Sequence, residues 1–276
     1  MTQTLIDDAT LKARHRAMWA LGDYPAVATE VIAELGPALV EAVAVTSGEC
    51  LLDVAAGSGN VALPAARNGA RVTASDLTPE LLEAGRAQSS AEGMEIAWET
   101  GDAEALPYAD HSFDVTTSCV GVMFAPHHQA AADELVRVTR SGGRIGLISW
   151  TPAGFIGQMF ATMKPYAPPP PPGASPAPLW GDENHVRELL GDRVVDVRAT
   201  RRTLQVTAFP TAEAFRDYFK INYGPTIAVY RSLTDQPERQ AALDHDLAEL
   251  GRRFGRSEDG AMIMDWEYLL VTAVVA

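Results

Sequence analysis

Two rhythms of apolar residues alternate along this chain. Segments of strand length, Cys50–Val54, Arg71–Ser75, Met94–Trp98, Ser112–Ser118 and Arg144–Trp150, are separated by longer stretches with apolar positions at helical spacing. The first unit is the clearest. Cys50–Val54 is an uninterrupted apolar run apart from Asp53, short enough for a strand buried on both faces. It leads into Ala55-Ala56-Gly57-Ser58-Gly59, and the helix that follows stops at Asn68-Gly69. Arg71–Ser75 then ends on Asp76, and Thr78-Pro79-Glu80 opens another helix with a cap, a proline in the first turn and an acid. Strand, glycine turn, helix, strand and acid make a βαβ unit, whose ligand site lies at the carboxyl edge of its strands. Five such strands alternating with helices, among them a helix over Pro126–Arg140 closed by Ser141-Gly142-Gly143, predict an α/β fold with a doubly wound parallel sheet.

The chain before and after this region has a different texture. Residues 1–9 are expected to fray. Helices are predicted from Thr10 to Leu21, from Tyr24 to about Leu35 and, after a break at Gly36-Pro37, on to Val45. Beyond Trp150 the pattern predicts a short helix at Gly154–Met163, a stiff extended connector at Pro168–Pro172, a helix at Asp182–Leu190 and a sixth strand within Val194–Val206. Helices over 211–222 and about 235–254 precede a closing strand, Tyr268–Val275. If that strand runs antiparallel to the sixth, the connection between them leaves from the carboxyl edge of the sheet. Residues of about 208–264 then form a helical cap over the ligand cleft, with a separate domain or dimerisation arm as the other arrangement. The division that follows is one domain: an N-terminal helical lid (1–45), a ligand-binding core (46–150) and a second half that carries the cap (151–276).

Gly57-Ser58-Gly59-Asn60-Val61-Ala62 also fits a loose dinucleotide fingerprint. Asp53 argues against that ligand. A carboxylate beside the glycine turn repels a pyrophosphate and attracts a ligand that carries an ammonium and a sulfonium. Asp53-Val54-Ala55-Ala56-Gly57-Ser58-Gly59 resembles the first motif of class I S-adenosylmethionine-dependent methyltransferases, nearest to the branch of the quinone-biosynthesis C-methyltransferases. The likeness continues through Val72–Thr78 and Gly101–Pro107, and a fourth motif extends over Ser112–Val115 to Leu135–Val138 and Ser141–Arg144; with the first, these make four motifs in order over residues 45–150. The resemblance implies a seven-stranded sheet of order 3-2-1-4-5-7-6 with strand 7 antiparallel. It also implies S-adenosylmethionine as cofactor and N-terminal helices that close over it, with Trp19 and Tyr24 as candidate contacts or, equally, as helix core.

Around that ligand the candidate residues take distinct parts. Ala55, Gly57 and Gly59 let backbone approach the ligand. Asp76 can accept both ribose hydroxyls, and Leu77 can pack on the adenine face. Asp102 and the Ala103 amide can meet the adenine edge. Ser118 and Cys119, at the end of the fourth strand, border the methyl group. His128, beside His127 at the start of a helix, is a candidate base whose pKa a helix N-terminus would lower; a solvated first-turn residue is the plainer reading. Tyr223, at the helix break Asn222-Tyr223-Gly224-Pro225, could orient or deprotonate an acceptor. Trp180, His185, Tyr218 and Tyr230 could wall the acceptor pocket with it.

Composition narrows the partners. A net charge of −14 argues against a nucleic acid, whose backbone needs a basic face. No apolar run is long enough to span a membrane, no metal-ligand spacing occurs, and the two cysteines, near opposite ends of neighbouring strands, are expected to be reduced in a cytoplasmic protein. A small-molecule acceptor is the expected partner, with the oligomeric state open and a homodimer among the choices. The function implied is direct in-line methyl transfer to a small organic molecule. The alternatives are an NAD-dependent oxidoreductase and a fold-alike that keeps S-adenosylmethionine for a non-methylating role.

Overall fold

The computed structural model describes residues 7–171, 173–258 and 261–276. Helices α1 (Asp8–Trp19), α2 (Tyr24–Glu30) and α3 (Leu35–Ala42) precede the alternating core. That core runs β1 (Cys50–Val54), α4 (Ala62–Arg67), β2 (Arg71–Asp76), α5 (Pro79–Ala91), β3 (Ile96–Thr100), β4 (Phe113–Cys119), α6 (His128–Val138) and β5 (Thr139–Trp150). Then come α7 (Phe155–Met163), α8 (Glu183–Leu190), β6 (Val194–Val206), α9 (Ala212–Asn222), α10 (Gly224–Ser232), α11 (Pro237–Phe254), β7 (Gly255–Glu258) and β8 (Ala261–Val275). The strands form one sheet of order β3-β2-β1-β4-β5-β8-β6, with short β7 bonded to β8. The first five are parallel, and β8 runs antiparallel to both β5 and β6. The doubly wound sheet with an antiparallel final strand is therefore as expected; β7 is the addition.

Several boundaries differ from the pattern-based ones for identifiable reasons. Asp7 accepts from the Thr10 amide (3.0 Å) as N-cap of α1, so helix begins within the stretch expected to fray; residues 1–6 lie outside the described residues. Gly36-Pro37 sits inside the first turn of α3 rather than breaking the chain, because a first-turn proline gives up no helical hydrogen bond. The same rule explains α10, a helix the pattern did not yield: Tyr223 ends α9 and caps α10, with Pro225 in the new first turn. β5 starts at Thr139, and Arg140 to Gly143 belong to an irregular part of the strand. A side chain at Gly143 would come within 2.9 Å of the Asp114 carbonyl on β4, so the glycine there serves strand contact. In the proline connector, Pro168–Pro171 carry no regular structure and Pro172 lies outside the described residues.

What matters for a ligand site is how the N-terminal helices and the α9–α11 insertion meet. They touch backbone to backbone: the Asp23 amide donates to the Asn222 carbonyl (3.2 Å), and a side chain at Gly224 would fall 2.3 Å from the Met18 carbonyl. An aromatic cluster ties α7, α9 and β8 together, with Phe155 stacked on Trp266 at 5.0 Å and Phe219 5.8 Å from the same indole. Both cysteines are free thiols. Among the described residues, no helix is long and apolar enough to cross a membrane.

α3 docks onto the loop after β1 through Gly36, where a Cβ would lie 1.7 Å from the Asn60 carbonyl. That atom is backbone and cannot swing aside. Gly36→Ala should therefore destabilise the fold by about 1–3 kcal/mol, the usual range for overpacking. Urea unfolding would show it as a lower midpoint, and an unchanged midpoint would mean that α3 is free to shift.

Candidate functional site

The end of β1 is held open by the end of β2. The Gly57 amide donates to one oxygen of Asp76 (2.8 Å) and the Thr78 amide to the other (2.8 Å). Asp76 is 8% exposed, so burial pushes its carboxyl pKa up while the two amides pull it back. With one amide on each oxygen, the carboxylate keeps lone pairs for further donors. Gly57 has φ +56°, and a Cβ there would meet only the Tyr24 ring, at 3.4 Å. Ala55 (φ 53°) and Val120 (φ 46°) occupy the same left-handed region just past β1 and β4. For a β-branched valine that conformation costs about 1–3 kcal/mol, and such strain concentrates at ligand sites.

These residues line a cleft of about 710 Å³, its mouth included, at the carboxyl edge of the sheet. Of the residues proposed from sequence, Trp19, Tyr24, Ala55, Gly57, Asp76, Leu77, Asp102 and Ala103 are brought together there. Asp102 takes the Glu104 amide on one oxygen (2.9 Å) and the Lys12 ammonium on the other (2.6 Å). Lys12 also pairs with Asp8 (2.7 Å) and Glu104 (3.0 Å), and Glu104 in turn binds His127 Nδ1 (2.8 Å). Burial alone would lower the lysine's pKa; its three carboxylate partners outweigh that and raise it. Asp8, Glu104 and His127 could group around a metal ion, but the cation against the two carboxylates is Lys12 itself.

Other candidates lie elsewhere. Asp53 is 1% exposed and does not line the cleft. It turns instead to the start of α4, where it accepts from the Ala62 amide (3.0 Å) and lies 3.3 Å from the Thr117 hydroxyl. Its objection to a pyrophosphate stands on a new footing: Asp53 occupies the first turn of α4, and Asp76 already holds the Gly57 amide. Gly59 packs on β3, since a Cβ there would strike the Trp98 ring at 2.6 Å. Ser118 donates to the Val54 carbonyl (2.7 Å) and accepts from the Val122 amide (2.8 Å), which fixes the turn after β4. Cys119 is buried, and burial raises its pKa well above the ordinary value, so it stays a thiol.

Neither proposed catalytic residue lines this cleft. His128 is buried, with Nδ1 2.9 Å from His185 Nε2 and its ring 5.6 Å from Trp180. Burial and the neighbouring His185 push its pKa down to about 4. It is thus neither a solvated first-turn residue nor placed as a base. Tyr223 lines a second, smaller cavity next door. Trp180, His185, Tyr218 and Tyr230 line neither; Tyr218 bonds Glu30 (2.8 Å) and Tyr230 bonds Asp244 (2.6 Å). The cleft also contains residues that sequence reasoning passed over, among them Lys12, His15, Val120 and Phe124. Lys12, His15 and Trp19 stand at i, i+3 and i+7, one face of α1, and that spacing was a usable signal.

Burial raises the Asp53 carboxyl from its usual 3.8 to about 7, partly opposed by the Ala62 and Thr117 bonds. Between those values the folded chain holds a proton that the unfolded chain has lost, so this group's contribution to stability falls as pH rises. Asp53→Asn cannot titrate. Its stability relative to the natural chain should therefore climb across that window, by a few kcal/mol in all. Parallel stability curves for the two proteins would contradict the assignment.

Comparison with known proteins gives the geometry a family. Residues 52–147 match the family described as a methyltransferase domain. An uncharacterized protein of Mycobacterium tuberculosis is 52% identical over 267 residues, spanning 97% of this chain and 96% of its own. The ubiquinone/menaquinone biosynthesis C-methyltransferase of Zymomonas mobilis is 31% identical over 178 residues, 63% of this chain and 66% of its own. Among solved structures, the YcgJ protein of Bacillus subtilis aligns with a TM-score of 0.59 over 88% of this chain and 98% of its own; at 17% identity the likeness is one of fold. Residues 52–147 are thus a methyltransferase domain, and the likenesses together support a class I S-adenosylmethionine-dependent methyltransferase similar to the quinone-biosynthesis C-methyltransferases.

Proposed function

We propose that the cleft binds S-adenosylmethionine and that the protein moves its methyl group to a small organic acceptor by in-line displacement. One observation carries the reading: the buried Asp76 carboxylate at the tip of β2 faces the cleft with acceptor capacity to spare while it clamps the glycine turn. A pair of ribose hydroxyls suits that carboxylate. Leu77, the next residue, offers an apolar face for a purine, and Asp102 with the Ala103 amide offers an acceptor and a donor for its edge. Trp19, Tyr24 and Phe124 form an aromatic wall, with Trp19 edge-on to Tyr24 at 5.4 Å and to Phe124 at 4.7 Å, which keeps water from the reacting end.

Bound S-adenosylmethionine supplies a methyl group already activated by a sulfonium leaving group. The protein's task is then to hold the acceptor in line, an effect that can reach about 7–11 kcal/mol. No side chain of the cleft is placed as a strong base. Burial lowers the pKa of His15 and keeps its ring neutral, and burial raises that of the Tyr24 phenol. An acceptor that is already nucleophilic, or that loses its proton to water, suits this site. The segment between β6 and β8 serves as the cap, because α9 and α10 abut the N-terminal helices that line the cleft.

A dinucleotide is the poorer ligand, since the amides that would meet its pyrophosphate are held by Asp53 and Asp76. Calorimetry should therefore give binding of S-adenosylmethionine and S-adenosylhomocysteine but none of NADH; the opposite pattern sinks the proposal. Asp76→Ala should weaken binding of S-adenosylhomocysteine at least tenfold, given about 1.5–3 kcal/mol for each charge-assisted hydrogen bond lost. Full retention of affinity would place the ribose elsewhere. Labelled methyl release, followed across phenols, amines and polyketides, tests transfer itself.

A further inference from the structure

The helix break Asn222-Tyr223-Gly224-Pro225 does not line the cleft, yet it lies against the segment that gives the cleft its aromatic wall. Trp19 ends α1 and Tyr24 opens α2, so both are placed by the short connection between them. That connection rests on the break at the level of the backbone. The Asp23 amide donates to the Asn222 carbonyl (3.2 Å). At Gly22, with φ +73°, a Cβ would stand 2.6 Å from the same carbonyl. At Gly224 a Cβ would stand 2.3 Å from the Met18 carbonyl and 3.5 Å from the Trp19 Cα. Two glycines, one on each side, let the two backbones touch where any side chain would part them. Over this seam the Tyr223 ring lies 5.7 Å from Trp19 and 6.4 Å from Tyr24.

The seam joins a firm body to a looser one. On the cap side, Phe219 packs 5.2 Å from Tyr223 and 5.8 Å from Trp266 of β8, and Thr226, in the first turn of α10, is fully buried. On the other side, α1 reaches the core through side chains. Lys12 meets Asp102 and Glu104 two turns before Trp19, and Arg16 meets Glu80 at 3.7 Å with both side chains half exposed. Exposed ion pairs hold position weakly. Phe124 touches Trp19 edge-on at 4.7 Å, but a ring can turn where a backbone carbonyl against a glycine cannot. The far end of α2 is tied to the cap as well, through the Tyr218 hydroxyl and Glu30 (2.8 Å).

We infer that Gly22 and Gly224, with Tyr223 beside them, are positioning residues for the cofactor: from outside the cleft they set where Trp19 and Tyr24 stand, and so how closely that wall meets the ligand. The ligand's identity rests on the methyl-transfer reading, whereas the seam does not. The cap and the cofactor wall thereby form one body, and a change at residue 224 reaches a ligand that residue 224 does not touch.

The test combines hydrogen exchange and calorimetry on the full chain. Gly224→Ala should speed amide exchange across residues 12–31 while protection in β1 to β5 stays as it is. It should also weaken S-adenosylhomocysteine about tenfold or more, since a wall misplaced by about 1 Å is enough for that. Tyr166→Phe is the control: it removes a bond to Asp246 that ties the segment after α7 to α11 (2.5 Å), and should lower stability with neither effect. In a background with Trp19→Leu and Tyr24→Leu, adding Gly224→Ala should cost at most about a further twofold, because the rings through which it acts are gone. Should Gly224→Ala not fold, Tyr223→Leu stands in for it, with faster exchange over the same residues and about threefold weaker binding. Unchanged exchange over residues 12–31, protection lost evenly across the sheet, retained affinity, or a full additive loss in the ring-less background overturns the inference. If S-adenosylhomocysteine does not bind the natural chain, the methyl-transfer reading fails separately, and exchange over residues 12–31 alone then decides the seam.

Discussion

A single buried carboxylate sets the geometry on which everything else rests. Asp76 collects the amides of Gly57 and Thr78, one on each oxygen, and so binds the turn after β1 to the tip of β2. Asp53, one strand away, does the same for α4 through the Ala62 amide. Both carboxyls are held above the usual range, chiefly by burial, and Asp76 pushes Asp53 further up by like charge. Two acids so close are stable only because backbone dipoles face them. A ligand that brings hydroxyl donors to Asp76 and positive charge to the vicinity eases both costs, whereas an anionic pyrophosphate would find its amides taken.

The architecture was largely legible because the sheet's burial is written in sequence as short apolar runs, and because glycine and proline mark the turns. Strand order followed from the resemblance. The role of Asp53 was not legible. Its neighbours in sequence place it at the mouth of the site, but alternation along a strand decides which way a side chain turns, and its partner, the Ala62 amide, lies nine residues on. Nor could α10 be seen, since the same Gly-Pro pair that ends one helix starts another. His128 failed as a candidate for a tertiary reason: His185, from α8, covers it.

The smaller cavity beside the cleft illustrates why a space walled by distant segments is harder to read in sequence than one built from neighbouring elements. The cleft draws mainly on the βαβ region and on the loops after β3 and β4, with the N-terminal helices beside them. Trp150, Phe219 with Tyr223, and Trp266 come from three separate segments that meet only after the sheet has closed with β8. Of these, only Tyr223 stood out in sequence, because it sits at a helix break. Lys12 belongs to the same class of surprise, reaching from α1 to three carboxylates and so fastening the N-terminal segment beside the cleft.

The central claim is that Asp76 serves the turn and the ligand at once. A crystal structure of the chain with S-adenosylhomocysteine tests it most directly. The account predicts ribose hydroxyls on the Asp76 carboxylate, with the Gly57 amide still donating to the same group. A ribose seated away from Asp76, or a Gly57 amide released from it, would contradict the account.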